Sequence, residues 1–486
     1  MAFLSLSEWV DKLEAEGELK RITAKVDWDG ELAAIVGRVY AQRGPALLFE
    51  NIKGYESTWC RKILTGGLSK RSRVALTMGM PKDTSQPELV KELRKRLREP
   101  IAPVDVDTGP VKENIIKGND VDLFQIPVPM WHPLDGGRYI NTWCGVVTMD
   151  PDTGEHNVGM YRAMVSAKNK MGVLLVPAQG WGGHYAKYQR IGKPMPVAMV
   201  YGCDLSFGFM AATPITSITE YEAMGAIRQG PVPLVKCETS DIKVPSVAEI
   251  VVEGTISPDP DAYEMEGPFG EWTGYYGMAA KRPVFKVDCI THRNDPIFRG
   301  NLEGLKTGIV NEDAASAYVT MSTVVWDVLE ANGIPGIIDV VGAPWTIVKI
   351  HKTYQGQARQ IAAALWGSRL AVNFCKTVMV VEEEVNIRNL TSLQLAVQTY
   401  VDPVKDVIAF PLGVGSSLDV SLSSEDRDEM LYGAGRQNKL LIDATVDWAT
   451  HPIRKEWGNR RLPPTCTEQL PEVEKLVDSR WQEYGI

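Results

Sequence analysis

The chain has 486 residues, 44% hydrophobic and 23% charged, with 52 basic against 61 acidic side chains and a net charge of −9. That length predicts two or three domains with substantial cores. The acidic balance, with no basic run interleaved with aromatics, excludes a nucleic-acid footprint.

The seven cysteines (Cys60, Cys144, Cys203, Cys237, Cys289, Cys375 and Cys466) are all isolated. With no CxxC and no zinc-type spacing they read as reduced thiols of a cytoplasmic protein. MAFLSLSEWVDKLEAEG lacks the basic and apolar regions of a signal peptide, and no apolar stretch reaches the roughly 18 residues that span a bilayer.

Along the chain, Ser5 and Glu8 form a capping-box pattern whose helix stops at Gly17. ELKRITAKVDW and PALLFENI then read as strands. Ser85 and Glu88 repeat the box ahead of Leu89, Leu93 and Leu97, which share one helix face. Residues 1–110 are therefore expected to form an α/β region. The Pro- and Asp-rich residues 100–135 read as a connecting segment. From about 139 to 300 the runs are short and β-rich (YINTWCGVVTM, PMPVAMVYG, EIVVEGTI, PVFKVDCITH), with one helix near 218–228, which predicts a barrel or sandwich. Asn311 caps a predicted helix carrying Tyr318, Met321, Val325 and Val328 on one side and ending before Gly333. Beyond it, TIVKIHK and TVMVVEEEV frame a helix at about 355–366, and LPEVEKLVDSRWQEYGI reads as a C-terminal helix.

Chemistry is sparse at the level of single motifs. GVGSSL (413–418) is half of a dinucleotide fingerprint and reads as a loop; GxxxxGK[ST], GxSxG and HExxH are absent. In EMEGPFGEWTGYYG, Glu266 and Glu271 lie five residues apart, a spacing that diverges in a helix and alternates in a strand. Only an irregular backbone at Gly267, Pro268 and Gly270 can bring them together, the plain alternative being a solvated acidic turn. Arg162 in EHNVGMYRAMV reads as a strand-start residue facing a cavity or, equally plainly, a surface arginine. Gln179 and His184 sit in a glycine-rich turn, Glu220 at a helix start and Lys439 just before a strand; each has an ordinary structural reading.

In order and in residue type, NVGMYR, TPI–ITEYEAMGAI, LVKCETSDIKVPSVAEIVVEG, EGPFGEWTGYY and NKLLIDAT resemble the UbiD family of reversible, non-oxidative decarboxylases that use prenylated FMN. The likeness covers essentially the whole chain. It implies a mixed α+β architecture: an N-terminal α/β region (1–110), a central split β-barrel holding the flavin (111–305), a linking helix (306–335) and a C-terminal α/β dimerisation domain (336–486). By resemblance, Arg162, Glu266 and Glu271 are the catalytic network. Asn157 and Glu220 match ligands of a Mn²⁺ or Mg²⁺ ion at the flavin phosphate, Lys439 a phosphate-binding lysine and Gln179 a flavin contact. Thr142, Val158, Gly159 and Met160 fall where the family wraps the cofactor. The main chain at Val158, Met210, Ala211 and Thr213, with Glu220, falls where many members hold K⁺. The family usually has His after the glutamine; here it is Gly180, and the nearest histidine, His184, is the candidate third metal ligand.

The resemblance further implies a covalent adduct between flavin and an α,β-unsaturated or (hetero)aromatic carboxylic acid, with loss of CO₂. Glu271 would be the proton donor, desolvated by Trp272 and the flavin, and Glu266 the ionised partner of Arg162. A flavin prenyltransferase would supply the cofactor to a homodimer or higher oligomer. Two other classes stand beside this reading: a non-catalytic or partner-dependent subunit of a multi-component carboxylase, and a split-barrel flavin oxidoreductase.

Overall fold

A computed structural model describes residues 5–215, 217–304, 309–464, 466 and 469–486; the domain boundary expected at 305/306 lies outside them. Near the N-terminus, Ser5 Oγ accepts from Glu8 N at 3.3 Å and opens the helix Leu6–Ala15, which buries Leu6, Trp9 and Leu13. At the second such pattern the full capping box forms, with Glu88 accepting from Ser85 N at 2.9 Å at the head of Gln86–Leu97. These helices flank a four-stranded sheet ordered Leu19–Ile22, Ala46–Phe49, Lys62–Thr65 and Ile297–Arg299. Its last strand comes from the far end of the β-rich region, so the N-terminal region is closed by residues 200 positions or more downstream.

The β-rich middle forms one antiparallel nine-stranded sheet. Along its path run Arg138–Tyr139, Ala163–Ala167, Lys170–Val173, Val284–His292, Ile250–Ile256, Met195–Tyr201, Gly145–Met149 and His156–Gly159. The ninth strand, Asn114–Lys117, pairs with Val284–His292. The segment read as a connector thus contributes to the sheet, its Pro-rich flanks having masked a four-residue strand. The path has two ends and curls into an open half-barrel.

Asn311 Oδ1 accepts from Ala314 N at 3.0 Å, capping the 20-residue helix Glu312–Ala331, which stops before Gly333 (φ +67°). The first residue of this helix locks it to the N-terminal sheet. Glu312 is fully buried, accepts from Leu68 N at 2.8 Å and pairs with Arg299, whose Nη1 donates at 2.8 Å. Beyond it a five-stranded sheet is ordered Ile337–Val341, Thr346–Ile350, Thr377–Val381, Arg436–Ala444, Val407–Val414, parallel in the middle and antiparallel at both edges. The helix Gln357–Trp366 makes the parallel crossover predicted between the first two β-patterns of this unit.

Candidate active site

EMEGPFGEWTGYYG folds as one interrupted hairpin. Its outer ladder pairs Glu264–Glu266 with Ala280–Arg282, and its inner ladder pairs Phe269–Gly270 with Tyr276–Gly277. Between them Gly267 has φ +96°, and a Cβ there would lie 2.9 Å from Ala279 Cα. The bend therefore needs glycine. At the tip, Glu271 N donates to Tyr275 O at 2.9 Å and Glu271 O accepts from Gly274 N at 2.8 Å. Glu266 thus ends one ladder and Glu271 begins the tip, and both carboxyls converge on Arg162.

Arg162, just ahead of the strand Ala163–Ala167, reaches Glu266 through two N–H groups, Nε to Oε1 at 3.0 Å and Nη2 to Oε2 at 2.7 Å, while Nη1 donates to Glu271 Oε1. Glu266 is 0% exposed, Glu271 6% and Arg162 8%. Tyr139 donates to Glu266 Oε1 at 2.7 Å. Two glycines leave the room: a Cβ at Gly172 would lie 3.0 Å from Glu266 Cβ, and one at Gly277 2.7 Å from Arg162 Nη1. Two carboxylates on one guanidinium would leave a surplus negative charge in a dry site, which a proton removes. Burial accordingly raises the proton affinity of Glu271 above the usual carboxylate range, against the pull of Arg162. Arg162 stays firmly charged: its desolvation opposes the charge, but Glu271 and Glu266 outweigh it. Asp135, absent from the sequence reading, braces the hairpin by accepting from Gly270 N at 2.8 Å; burial raises its carboxyl to about 6.

Trp272 does not desolvate Glu271 as expected. It is 46% exposed and turns outward, 6.2 Å from Phe374 between ring centroids. Gly304 packs on the main chain of Glu271, where a Cβ would meet Glu271 O at 2.5 Å.

Beside this cluster lies an open cleft of about 100 Å³. Asn157, Val158, Gly159, Met160, Tyr161, Gln179, Ala211, Thr213 and Glu220 from the central unit line one side of it, and Arg369, Val372, Asn373 and Phe374 the other. The cluster and the cleft are joined at two points: Tyr161 on the wall precedes Arg162, and Phe374 on the opposite wall touches Trp272 beside Glu271. Thr219 caps the helix Glu220–Arg228 through a complete capping box, which fixes Glu220 at its first turn.

Residues 10–93, 102–306 and 316–444 match the models of the N-terminal, Rift-related and C-terminal domains of 3-octaprenyl-4-hydroxybenzoate carboxy-lyase, UbiD. The chain belongs to the UbiD family. It is a carboxy-lyase of that family. It is 32% identical to the uncharacterized protein sll0936 of Synechocystis sp., over 99% of this chain and 96% of that one. Among solved structures it is similar to the vanillic acid decarboxylase of Sedimentibacter hydroxybenzoicus in its closed form, with a TM-score of 0.87, 31% identity and coverage of 100% and 99% of the two chains. It is also similar to an evolved dimeric form of HmfF from Pelotomaculum thermopropionicum in complex with prFMN, with a TM-score of 0.77, 29% identity and coverage of 98% and 100%.

The UbiD-type residues named from sequence fall into three groups. Arg162, Glu266 and Glu271 meet in one cluster. Asn157, Val158, Gly159, Met160, Gln179, Ala211, Thr213 and Glu220 share the cleft. The rest point elsewhere. His184 lies on the helix Gly180–Arg190 rather than in a turn; its Nδ1 is 2.9 Å from Thr148 Oγ1 and its Nε2 4.0 Å from Asp150, away from the cleft lining. Glycines open this helix because backbone crowds it: a Cβ at Gly182 would lie 2.1 Å from Val176 O. Lys439 lies within the strand Arg436–Ala444, not before it. Its ammonium donates to Ala371 O at 2.9 Å and Gln437 Oε1 at 2.8 Å, behind the cleft-lining segment, and burial lowers its proton affinity to about 8. Thr142 Oγ1 accepts from Asn301 N at 3.0 Å, and Met210 O accepts from Thr213 N at 2.9 Å.

Gly180 explains the missing imidazole. A Cβ there would lie 1.8 Å from Asn157 Oδ1, so the carboxamide fills the space a side chain would need. Among the described residues no group of three or more His, Cys, Asp or Glu could hold a metal. Asn157 and Glu220 offer two oxygens, a set that fits a hydrated hard cation completing its shell with water and phosphate oxygens, and not the imidazole-bearing site. Arg369, which no local pattern distinguishes in GSRLAVNF, adds a positive side chain at the same cleft.

Proposed function

We propose that this chain catalyses the reversible, non-oxidative decarboxylation of an α,β-unsaturated or (hetero)aromatic carboxylic acid with prenylated FMN as its cofactor. The observation that carries the reading is the buried Glu266–Arg162–Glu271 cluster beside a polar cleft. The vanillic acid decarboxylase and the prFMN-bound HmfF support it. In the cleft, Arg369 and a Mg²⁺ or Mn²⁺ ion on Asn157 and Glu220 would hold the flavin phosphate, with Gln179 and the backbone of Val158–Met160 against the rest. The backbone at Val158, Ala211 and Thr213, with Glu220, would bind K⁺. The flavin, when bound, supplies the electron sink for loss of CO₂.

The protein's own contribution is orientation and a proton. Arg162, held by Glu266, presents its fork to the substrate carboxylate. As the C–C bond to the carboxylate breaks, Glu271 delivers its proton to the carbon left with the electron pair, and in the reverse direction takes it back. Exposed Leu395, Phe410 and Leu412 on the C-terminal unit support a homodimer formed there. A flavin prenyltransferase supplies the cofactor.

The test is the full chain co-expressed with a flavin prenyltransferase and offered a panel of phenolic, furan, pyrrole, indole and acyclic unsaturated acids. CO₂ release from at least one acid by the loaded protein, and from none by protein carrying plain FMN, is expected. Loaded protein, verified by absorbance and mass of the flavin, that neither releases CO₂ nor exchanges deuterium into any decarboxylated product overturns the reading.

A further inference from the structure

The charge cluster does not end at its own hairpin. Arg282 pairs across the outer ladder with Glu264, which sets it diagonal to Glu266 on the same face, within reach of a long side chain. Its Nε stops 3.6 Å from Glu266 Oε2, while its Nη1 donates to Glu429 Oε2. Glu429 belongs to the C-terminal unit, where it opens the short helix Glu429–Tyr432 and accepts from Ser417 Oγ at 2.7 Å. Arg282 Nε is buried and makes no hydrogen bond. Its guanidinium is thus drawn to the C-terminal unit, leaving one donor aimed at Glu266 and unused. The line Glu429–Arg282–Glu266–Arg162–Glu271 alternates in sign throughout and ends on the residue read above as the proton donor.

We propose that Arg282 and Glu429 are positioning residues: Glu429 holds Arg282 off Glu266, so that Glu266 stays bidentate on Arg162 and Arg162 is shared with Glu271. This rests on the reading of Glu271 as proton donor. Without Glu429, Arg282 closes onto Glu266, Arg162 is released toward Glu271, and the negative charge of Glu429 is lost as well. Both changes favour the ionised form of Glu271. Without Arg282 the opposite holds, because a positive charge is lost and Glu429 remains. The other groups facing Glu271, namely Asp135 and Glu303, are unchanged in either variant.

The experiment is the pH dependence of turnover by the flavin-loaded full chain, paired with ¹³C-carboxyl titration of glutamate-labelled loaded protein, in which the Glu271 signal is assigned by its loss in Glu271→Gln. Glu429→Gln is expected to move both the basic limb and the Glu271 titration down by about one pH unit, a tenfold loss of rate well above the limb. Arg282→Met should move both up, and Arg282→Met/Glu429→Gln should return both toward wild type. Flavin absorbance per chain reports whether each variant still folds and binds. Shifts of the same sign in both single variants, or none in either, overturn the proposal while leaving Glu271 as the donor. A basic limb that survives in Glu271→Gln instead overturns the donor assignment itself, and the carboxyl titration then judges the Arg282–Glu429 role alone.

Discussion

At the scale of single residues, the site depends on one arginine shared between two carboxyls. Arg162 uses three of its N–H groups on them, two on Glu266 and one on Glu271. The singly contacted glutamate is also the one whose proton affinity burial raises. The sign follows directly. A donor must be protonated to act, so turnover should hold from acid pH up to the raised pKa of Glu271 and fall tenfold per unit above it. A pH–rate profile of the loaded enzyme that instead rises with pH through the raised pKa of Glu271 would contradict this. Gly267, Pro268 and Gly270 showed only that the backbone must bend between Glu266 and Glu271, which were legible through the family resemblance. Arg369, Arg282 and Glu429 were not. Each is an ordinary charged residue in its own stretch and acquires a role only when remote chain is brought beside it.

At the scale of elements, the hairpin of residues 264–282 does the positioning, and glycines set its tolerances. Gly277 lies on the inner ladder with no side chain between it and Arg162 Nη1, 2.7 Å from where its Cβ would be. Gly277→Ala should push Arg162 off Glu271 without touching the cleft. Flavin content should stay normal while turnover drops roughly 100-fold, the usual cost of a displacement near 1 Å at a reacting group. Gly183→Ala, where a Cβ meets nothing within 4 Å, serves as the control. Helices with capping boxes or a capping asparagine, those at Ser5, Ser85 and Asn311, could be read from sequence because their signals are local. The helix Gly180–Arg190 could not. Two of its three early glycines, Gly180 and Gly182, answer to crowding by Asn157 and Val176, and close packing there overrides their low helix propensity. The strand Asn114–Lys117 was hidden likewise, since a four-residue edge in a Pro-rich segment has too few residues to show an alternation.

At the scale of the molecule, the cleft is lined by residues of two units built from separate stretches. The central unit supplies Asn157 from a strand of the curled sheet, Tyr161 just after that strand and Glu220 from the head of a helix; the C-terminal unit supplies Arg369, Asn373 and Phe374, backed by Lys439 on Ala371. The helix Glu312–Ala331 lies between them in the chain and is anchored by Glu312 to Arg299 and Leu68. Sequence patterns conveyed three units and a β-rich middle. They did not convey that residues 297–299 close the N-terminal sheet or that the C-terminal unit forms half of the cleft wall, because strand pairing across hundreds of residues leaves no periodicity to read. On the proposed reading, this arrangement brings a proton donor on one hairpin to a carbon held over a cofactor in the cleft. That can be measured by incubating the decarboxylated product with the loaded protein in D₂O and following deuterium uptake at the carbon CO₂ would leave. Wild type should exchange that position; Glu271→Gln, with equal flavin per chain, should exchange it about 10²- to 10⁴-fold more slowly. Exchange at the wild-type rate in Glu271→Gln would contradict the assignment of Glu271 as the proton donor.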